Sequence, residues 1–464
     1  MVDPSYLEDA SGFRGHAESL FTPRTEGELS GLLVEASRKG MPVTIAGAGT
    51  GVTGGRVAQG GWVVSLDRFT RLEIYEGFAV AGAGVLLRDL HAAALSRGQF
   101  YPPDPTETAA SVGGTIATNA SGSRSFRYGD TRRHVRALRV AFAGGRIREF
   151  RRGEPVDFDV PRLPIPATRK HTAGYHLAPN MDWVDLFIGS EGTLGVVTQA
   201  ELDLLPVPAH LLAGVVFFAA DDRALDAVDA WRAVDGLRML EYLDRGSLRL
   251  LRTRFPEIPP AASAALLIEQ ETGAAESDEA AAWLHRLEEE AALVDASWFA
   301  AGSQDRERFR GFRHALPETV NDTVRRNRFL KMNSDYAVPV ERNREMLGCY
   351  RRRLDQVFPE QSVVFGHIGD AHVHVNILPR SREEFDQGAL LMLELARKAV
   401  ELGGTVSAEH GLGKRKAHLL AIQYAVDEIA AMLAVKRRLD PHWLLGRGTL
   451  FPVPAGVLSG GLSV

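Results

Sequence analysis

Three histidines fall within eight residues in the segment GHIGDAHVHVN at 366–376, and SAEHGLG at 407–413 adds a carboxylate and a fourth histidine. Imidazoles and a carboxylate are donors suited to a first-row divalent cation. Side chains alternate along a strand, so His372, His374 and Asn376 are expected on one face. His367 sits just before the Gly369-Asp370 turn and can fold back towards them. A lone strand histidine is usually structural, but this density, with Glu409-His410 followed by glycines, marks a site for chemistry.

Two stretches of small residues stand apart from this cluster. AGAGTGVTGG at 46–55 contains GxGxxG, which alone is a weak signal. A Rossmann turn needs a helix immediately after it, and RVAQGGWVVS follows instead, so nicotinamide-type binding is rejected here. The loop still suits phosphate, because glycines let successive N–H groups converge on an anion; a tight turn between strands would use the same residues. SVGGTIATNASG at 111–122, preceded by YPPDP at 101–105, is similar in character. A flat ring held between backbones needs small side chains and free amides of this kind.

These segments need a scaffold, and 464 residues exceed what one core usually serves, so two domains are expected. The net charge of −5 offers no global basic field for nucleic acid. One cysteine, Cys349, excludes a disulfide framework, an iron–sulfur cluster and a cysteine-rich zinc site, and fits a reducing compartment. The first residues lack the basic-then-apolar pattern of a signal peptide, and no apolar run reaches the roughly 18 residues of a membrane span. A cytoplasmic protein is expected, with peripheral contact at the inner membrane face left open.

Apolar spacing predicts a helix over 26–39, strands at 42–46, 62–66, 78–84 and 136–142, and a helix over 86–97. Pro206-Val-Pro208 interrupts any regular element and makes a boundary. Beyond it the sequence predicts strands at 211–218, 239–243, 265–271, 331–339, 363–368 and 372–378, with helices at 221–234, 277–293, 340–357 and 382–402. The expected class is α+β, with split βαβ units packing helices on an antiparallel sheet. The expected domains are 1–207, 208–413 and a segment 414–464 that returns to the first.

Taken in order, AGAGTGVTGG, PPDPTE, SVGGTIATNASG and GSEGTLGVVT resemble the FAD domain of the vanillyl-alcohol-oxidase and p-cresol-methylhydroxylase (PCMH) superfamily. Over residues 20–455 the chain is most similar to the branch of D-lactate, glycolate and D-2-hydroxyglutarate dehydrogenases. The resemblance implies a two-part PCMH-type FAD-binding domain with a ferredoxin-like cap. It implies that Gly47, Gly49, Thr50, Gly51, Gly54 and Gly55 bind the FAD pyrophosphate. Pro103, Asp104, Gly113, Gly114, Thr118, Asn119 and Gly122 would line the flavin, and Glu191, Gly192 and Val197 would meet the adenosine part. FAD is expected to be non-covalent, because the glycine loop holds no histidine and Cys349 lies in the cap.

The same resemblance makes His367, His374 and Glu409 metal ligands, with zinc or manganese both credible, and His410 the catalytic base. Relatives commonly have Asn at the place of His372, leaving that residue as either a supporting group or an additional ligand. Arg313 and Lys331 match substrate-binding positions, with Asn376 a further polar contact. The chain departs from its relatives at KHTAGY, 170–175, at Pro317, where a Thr is frequent, and at LLGRGT, 444–449. The expected reaction is oxidation of a small D-2-hydroxy acid to the 2-oxo acid. The hydride goes to flavin N5 and the electrons to a quinone, a cytochrome or an electron-transfer flavoprotein. The alternatives are a flavoprotein oxidase and an electron-transfer subunit of a glycolate-oxidase-like complex. A homodimer is compatible with the sequence but not dictated by it.

Overall fold

The computed structural model describes residues 2–273, 276–300 and 302–453. Near the N-terminus the helix Glu26–Lys39 forms as its spacing predicts. Thr25 Oγ1 accepts the Glu28 N–H, Gly40 ends the helix in the left-handed region, and Leu29, Leu33 and Ala36 are buried. That face packs on a parallel sheet of three strands ordered Ser19–Phe21, Trp62–Ser65, Val43–Ala46. The glycine loop leaves Ala46 and runs through turns into Trp62–Ser65 without a helix, so it is not a Rossmann turn. A second, antiparallel sheet orders Leu72–Tyr75, Phe78–Gly82, Val196–Asp203, Val135–Ala141 and Ile147–Arg151.

The small-residue stretch contains a helix, Val112–Thr118, that its composition hides. Ser111 caps it through the Gly114 N–H, and Asn119 closes it at φ 50°. Two glycines are poor helix formers, but a Cβ on Gly113 would lie 2.8 Å from the Ala83 Cβ, so close packing on the turn that follows Phe78–Gly82 demands the glycine.

After Asp203 the chain leaves this sheet, and from His210 it builds another of seven strands, all paired antiparallel. Their order is Trp298–Ala300, His210–Phe218, Ala264–Thr272, Leu237–Leu243, Ser362–Gly366, His374–Ile377, Met332–Asn333. The pleat divides its side chains between two cores. Leu212, Val216 and Phe218 face one, which includes the helices Asp221–Trp231, Asn343–Val357 and Arg382–Glu401. Ala213, Val215 and Phe217 face the other, which includes Arg245–Leu251 and Ser303–Asn327. This is the α+β arrangement expected from the sequence.

Three readings need correction. The 25-residue helix Ser303–Asn327 was not foreseen, because its arginine-rich sequence and internal Pro317 mask the periodicity. The strand expected over 331–339 shrinks to Met332–Asn333. The strand expected from 372 starts at His374, since a short turn at Ile368–Asp370 and left-handed Ala371 precede it. Near the C-terminal end, Val43 N–H donates to Leu444 O, and Gly446 N–H donates to Val43 O. Of the expected segment 414–464, residues 454–464 lie outside the described residues.

Candidate active site

One cavity of about 510 Å³ runs from the glycine loop of the first half to the histidine cluster of the second, a size ordinary for a bound ligand. Gly47, Gly49, Thr50, Gly51, Gly55, Gly113, Gly114, Thr118, Gly122, Glu191, Gly192 and Val197 all line it. Four expected cofactor contacts do not. Gly54 turns its N–H onto the Asp9 carboxylate, and Asp104 pairs with Arg124 at 3.2 Å. Pro103 is buried beside Asp104. Asn119 donates to Asp130 and accepts from the Arg132 N–H.

The loop fits a bulky, anionic cofactor for a reason its packing supplies. A Cβ on Gly51 or Gly55 would meet nothing closer than 3.8 Å. The fold does not need those positions bare, so their bareness serves what lies in the cavity. Gly122 is different, since a Cβ there would sit 2.0 Å from Asp104 O.

At the other end the pleat of the seven-stranded sheet turns Glu241, His374 and Asn376 into the cavity. Gly366, at φ 132°, swings His367 in beside them. Glu409 divides its two oxygens. Oε2 accepts from Ser121 Oγ at 2.7 Å, Gly122 N at 3.3 Å and Lys170 Nζ at 3.1 Å. Oε1 faces His367 Nε2 at 3.0 Å and His374 Nε2 at 3.4 Å. The rear nitrogens are fixed: His367 Nδ1 lies 2.5 Å from Glu241 Oε1, and His374 Nδ1 lies 3.0 Å from Ser334 O. Burial lowers the affinity of His367 for a proton, but Glu241 and Glu409 outweigh it and the net value rises to about 9. Metal binding would compete with that protonation, since a ligating imidazole must be neutral. Donor type, convergence and rear support all fit such a cation.

Asp335, fully buried, organises the adjoining loop. Its Oδ2 accepts from Ser407 Oγ and from the N–H groups of Ala408, Glu409 and His410. Its Oδ1 lies 3.0 Å from His372 Nε2 and 3.4 Å from His410 Nδ1. Burial opposes a charge on Asp335, yet His410 and His372 hold it well below the usual carboxylate range. The His410 ring stacks on His374 at 5.1 Å, and burial pushes it down to about 3, so it is neutral. Glu191 accepts from Leu412 N and Gly413 N, both at 2.8 Å, stapling the loop after His410 to the first half.

Cations and amides complete the wall. Lys331 has no ion-pair partner among the described residues, and burial lowers it to about 8. Asn376 is 2 % exposed with neither amide atom hydrogen-bonded. Arg313 gives Nε to Glu241 at 2.9 Å and Nη1 to Thr106 at 3.2 Å, so Glu241 ties it to His367. Pro317 lacks the N–H that a helix would direct to the Arg313 carbonyl. In the 170–175 loop, Lys170 reaches Glu409, and Thr172 bonds Ser407 through both N–H and hydroxyl.

Glu241, Asp335, Lys170 and Ser121 were not singled out from the sequence. Glu241 had a signal, a carboxylate inside the otherwise apolar run MLEYL of a central strand. Lys170 and Ser121 lie in the quoted segments KHTAGY and SVGGTIATNASG, but only the docking of the two halves gives them Glu409 as a partner.

Fold and cavity together define a flavin-binding, two-part oxidoreductase architecture, and the family models agree. An "FAD binding domain" model matches residues 17–151, and "FAD linked oxidases, C-terminal domain" matches residues 207–450. The chain belongs to the family of FAD-linked oxidases. It is 31% identical to "Glycolate oxidase subunit GlcD" of Bacillus subtilis, covering 96% of this chain and 92% of that one. It is 28% identical to a "D-lactate dehydrogenase" of Anaerostipes hadrus, covering 97% and 93%. It is 29% identical to a "D-2-hydroxyglutarate dehydrogenase" of Xanthomonas citri pv. viticola, covering 94% and 90%. Among solved structures, an alkyldihydroxyacetonephosphate synthase shares the fold with a TM-score of 0.67 at 15% identity, covering 92% of this chain and 75% of that one. Among the described residues no helix is long and apolar enough to cross a membrane.

Proposed function

We propose that the protein oxidises a small D-2-hydroxy acid to the 2-oxo acid, with non-covalent FAD and a divalent metal, zinc or manganese, at the His367–His374–Glu409 cluster. The observation that carries this reading is the single cavity joining bare glycine backbone to those converging donors. The names of three relatives, acting on glycolate, D-lactate and D-2-hydroxyglutarate, support the substrate class. Non-covalent attachment is supported by a glycine loop without histidine and by Cys349 lying outside the cavity wall.

When bound, FAD supplies the acceptor for the C2 hydride, and the metal supplies a Lewis acid for the substrate hydroxyl. The chain's own groups do the rest. His410, placed by Asp335 and by its stack on His374, takes the hydroxyl proton. Lys331 offers the substrate carboxylate an uncommitted charge, and the Asn376 amide offers a donor and an acceptor. Arg313 is largely spent on Glu241 and Thr106, which makes it a support for this site more than a primary anchor.

A panel of D- and L-2-hydroxy acids with an artificial dye acceptor tests the reading. D acids, with glycolate, should bleach the flavin and be turned over, and His410→Ala should stay yellow and folded with at least ~100-fold lower kcat. Flavin that no member of the panel reduces would sink the proposal. An oxygen electrode separates the favoured dehydrogenase, feeding a quinone, a cytochrome or an electron-transfer flavoprotein, from a peroxide-forming oxidase.

A further inference from the structure

His372 has no role in the scheme above, and its surroundings are unusual. It is fully buried, and its Nε2 lies 3.0 Å from Asp335 Oδ1. Asp335 is an ionised acceptor, so Nε2 carries the proton and Nδ1 is left with a bare lone pair. That Nδ1 is buried and has no hydrogen-bond partner. An acceptor in a dry interior with nothing to accept from is a costly arrangement that folded proteins rarely leave unresolved. A ring nitrogen of His372 lies within 4.8 Å of the donor atoms of His367, His374 and Glu409. Its ring centre is 4.5 Å from that of His374 and 5.3 Å from that of His367.

We propose that His372 is a fourth protein ligand, binding the same divalent cation through Nδ1, with Asp335 as the carboxylate behind it. This rests on the metal reading above. It makes the site one of three imidazoles and one carboxylate, in place of two imidazoles and one carboxylate. Asp335 then stands behind His372 as Glu241 stands behind His367, each a carboxylate on the rear nitrogen of a ligating ring. The same Asp335 holds the Glu409 and His410 amides, so one buried carboxylate sets both the extra ligand and the base. A borderline metal such as zinc or cobalt(II) suits this donor set, and zinc can expand to five ligands to admit a substrate.

Affinity alone cannot separate a direct ligand from a supporting residue, because losing either weakens binding 10- to 100-fold or more. The decisive quantity is the number of imidazoles on the metal. The flavin-loaded full-length protein is stripped with a chelator and reloaded with one equivalent of zinc or cobalt(II). Imidazole scattering in X-ray absorption spectra is then counted for wild type, His372→Asn and His374→Ala. The expected counts are three for wild type and two for His372→Asn, with zinc affinity in His372→Asn falling at least ~100-fold. Two imidazoles in wild type would overturn the proposal while leaving the three-residue site standing, provided His374→Ala loses one. A wild-type protein that binds no zinc or cobalt would remove the metal reading itself, and this proposal with it. If His372→Asn does not fold, the wild-type count still decides.

Discussion

Lys170→Met tests whether Glu409 is held from behind by a buried charge. Lys170 is 2 % exposed, and its Nζ lies 3.1 Å from Glu409 Oε2 and 3.5 Å from Asp370 Oδ2. Met keeps the unbranched stem and removes the charge. Two carboxylates buried as deeply as these would then lose their shared cation, and breaking a buried pair from one side costs about 3–5 kcal/mol. An exposed pair would cost about 0–1 kcal/mol, so the two cases are well separated. Ser121 Oγ and Gly122 N still hold Oε2, which keeps the geometry from collapsing. A divalent cation on Oε1 would replace part of the missing positive charge. The deficit should therefore be about 3–5 kcal/mol without metal and visibly smaller with zinc added. Urea unfolding of the flavin-loaded protein, followed by tryptophan and flavin fluorescence with and without zinc, measures both. A variant within 1 kcal/mol of wild type in the metal-free form would refute the argument, and so would a deficit that zinc leaves unchanged.

Three further substitutions probe other parts of the site. Lys331→Met should raise KM for the hydroxy acid about 100-fold with a smaller change in kcat; in wild type KM should rise above pH 8, where burial lets Lys331 lose its proton. A KM within threefold of wild type removes Lys331 as the carboxylate anchor. Gly113→Ala places a methyl 2.8 Å from the Ala83 Cβ, so it should cost about 1–3 kcal/mol and weaken flavin retention on dialysis; a stable, fully yellow variant contradicts this. Burial raises Glu191 from 4.5 to about 7, so its contribution to stability is complete below pH 4.5 and is lost as pH rises through 7. The stability of wild type relative to Glu191→Gln should thus fall by up to about 3 kcal/mol across that interval, and a pH-independent difference would rule the shift out.

The fold was legible where period and punctuation agreed. The apolar spacing from Leu29 to Ala36, capped by Thr25 and stopped by Gly40, yields the first helix to the residue. The helix Val112–Thr118 was hidden because its glycines serve tertiary packing on Ala83, which no local propensity encodes. His367, His374, Glu409 and His410 could be read as a cluster because unusual residue types sit close in sequence. His372 lies beside His374 as alternation predicts, although left-handed Ala371 delays the regular strand to His374. Asp104 and Asn119 belong to motifs of the right kind, yet their side chains are spent on Arg124 and on Asp130 and Arg132. A motif tells which segment approaches a ligand; which of its side chains remain free depends on partners far away in the chain.

The geometry also explains why neither half could hold this site alone. The second half supplies the two histidines whose Nε2 atoms face Glu409 Oε1 and holds the Glu409 N–H on Asp335, but it leaves Oε2 to the first half. That carboxylate is oriented by Ser121, Gly122 and Lys170 of the first half, and the loop beyond it is stapled by Glu191. Its two oxygens thus answer to different halves, one to the scaffold beside the glycine-lined cavity and one to the imidazoles. A relative shift of the halves would strain the Ser121, Gly122 and Lys170 contacts that orient Oε2, while the contacts of Oε1 with the imidazoles lie within the second half. The half-buried ion pair Arg124–Glu269 spans the same seam. It offers a place to loosen the register without touching a ligand. Arg124→Met should therefore lower metal retention more than flavin retention, a difference that paired metal and flavin analyses of one dialysed sample would expose.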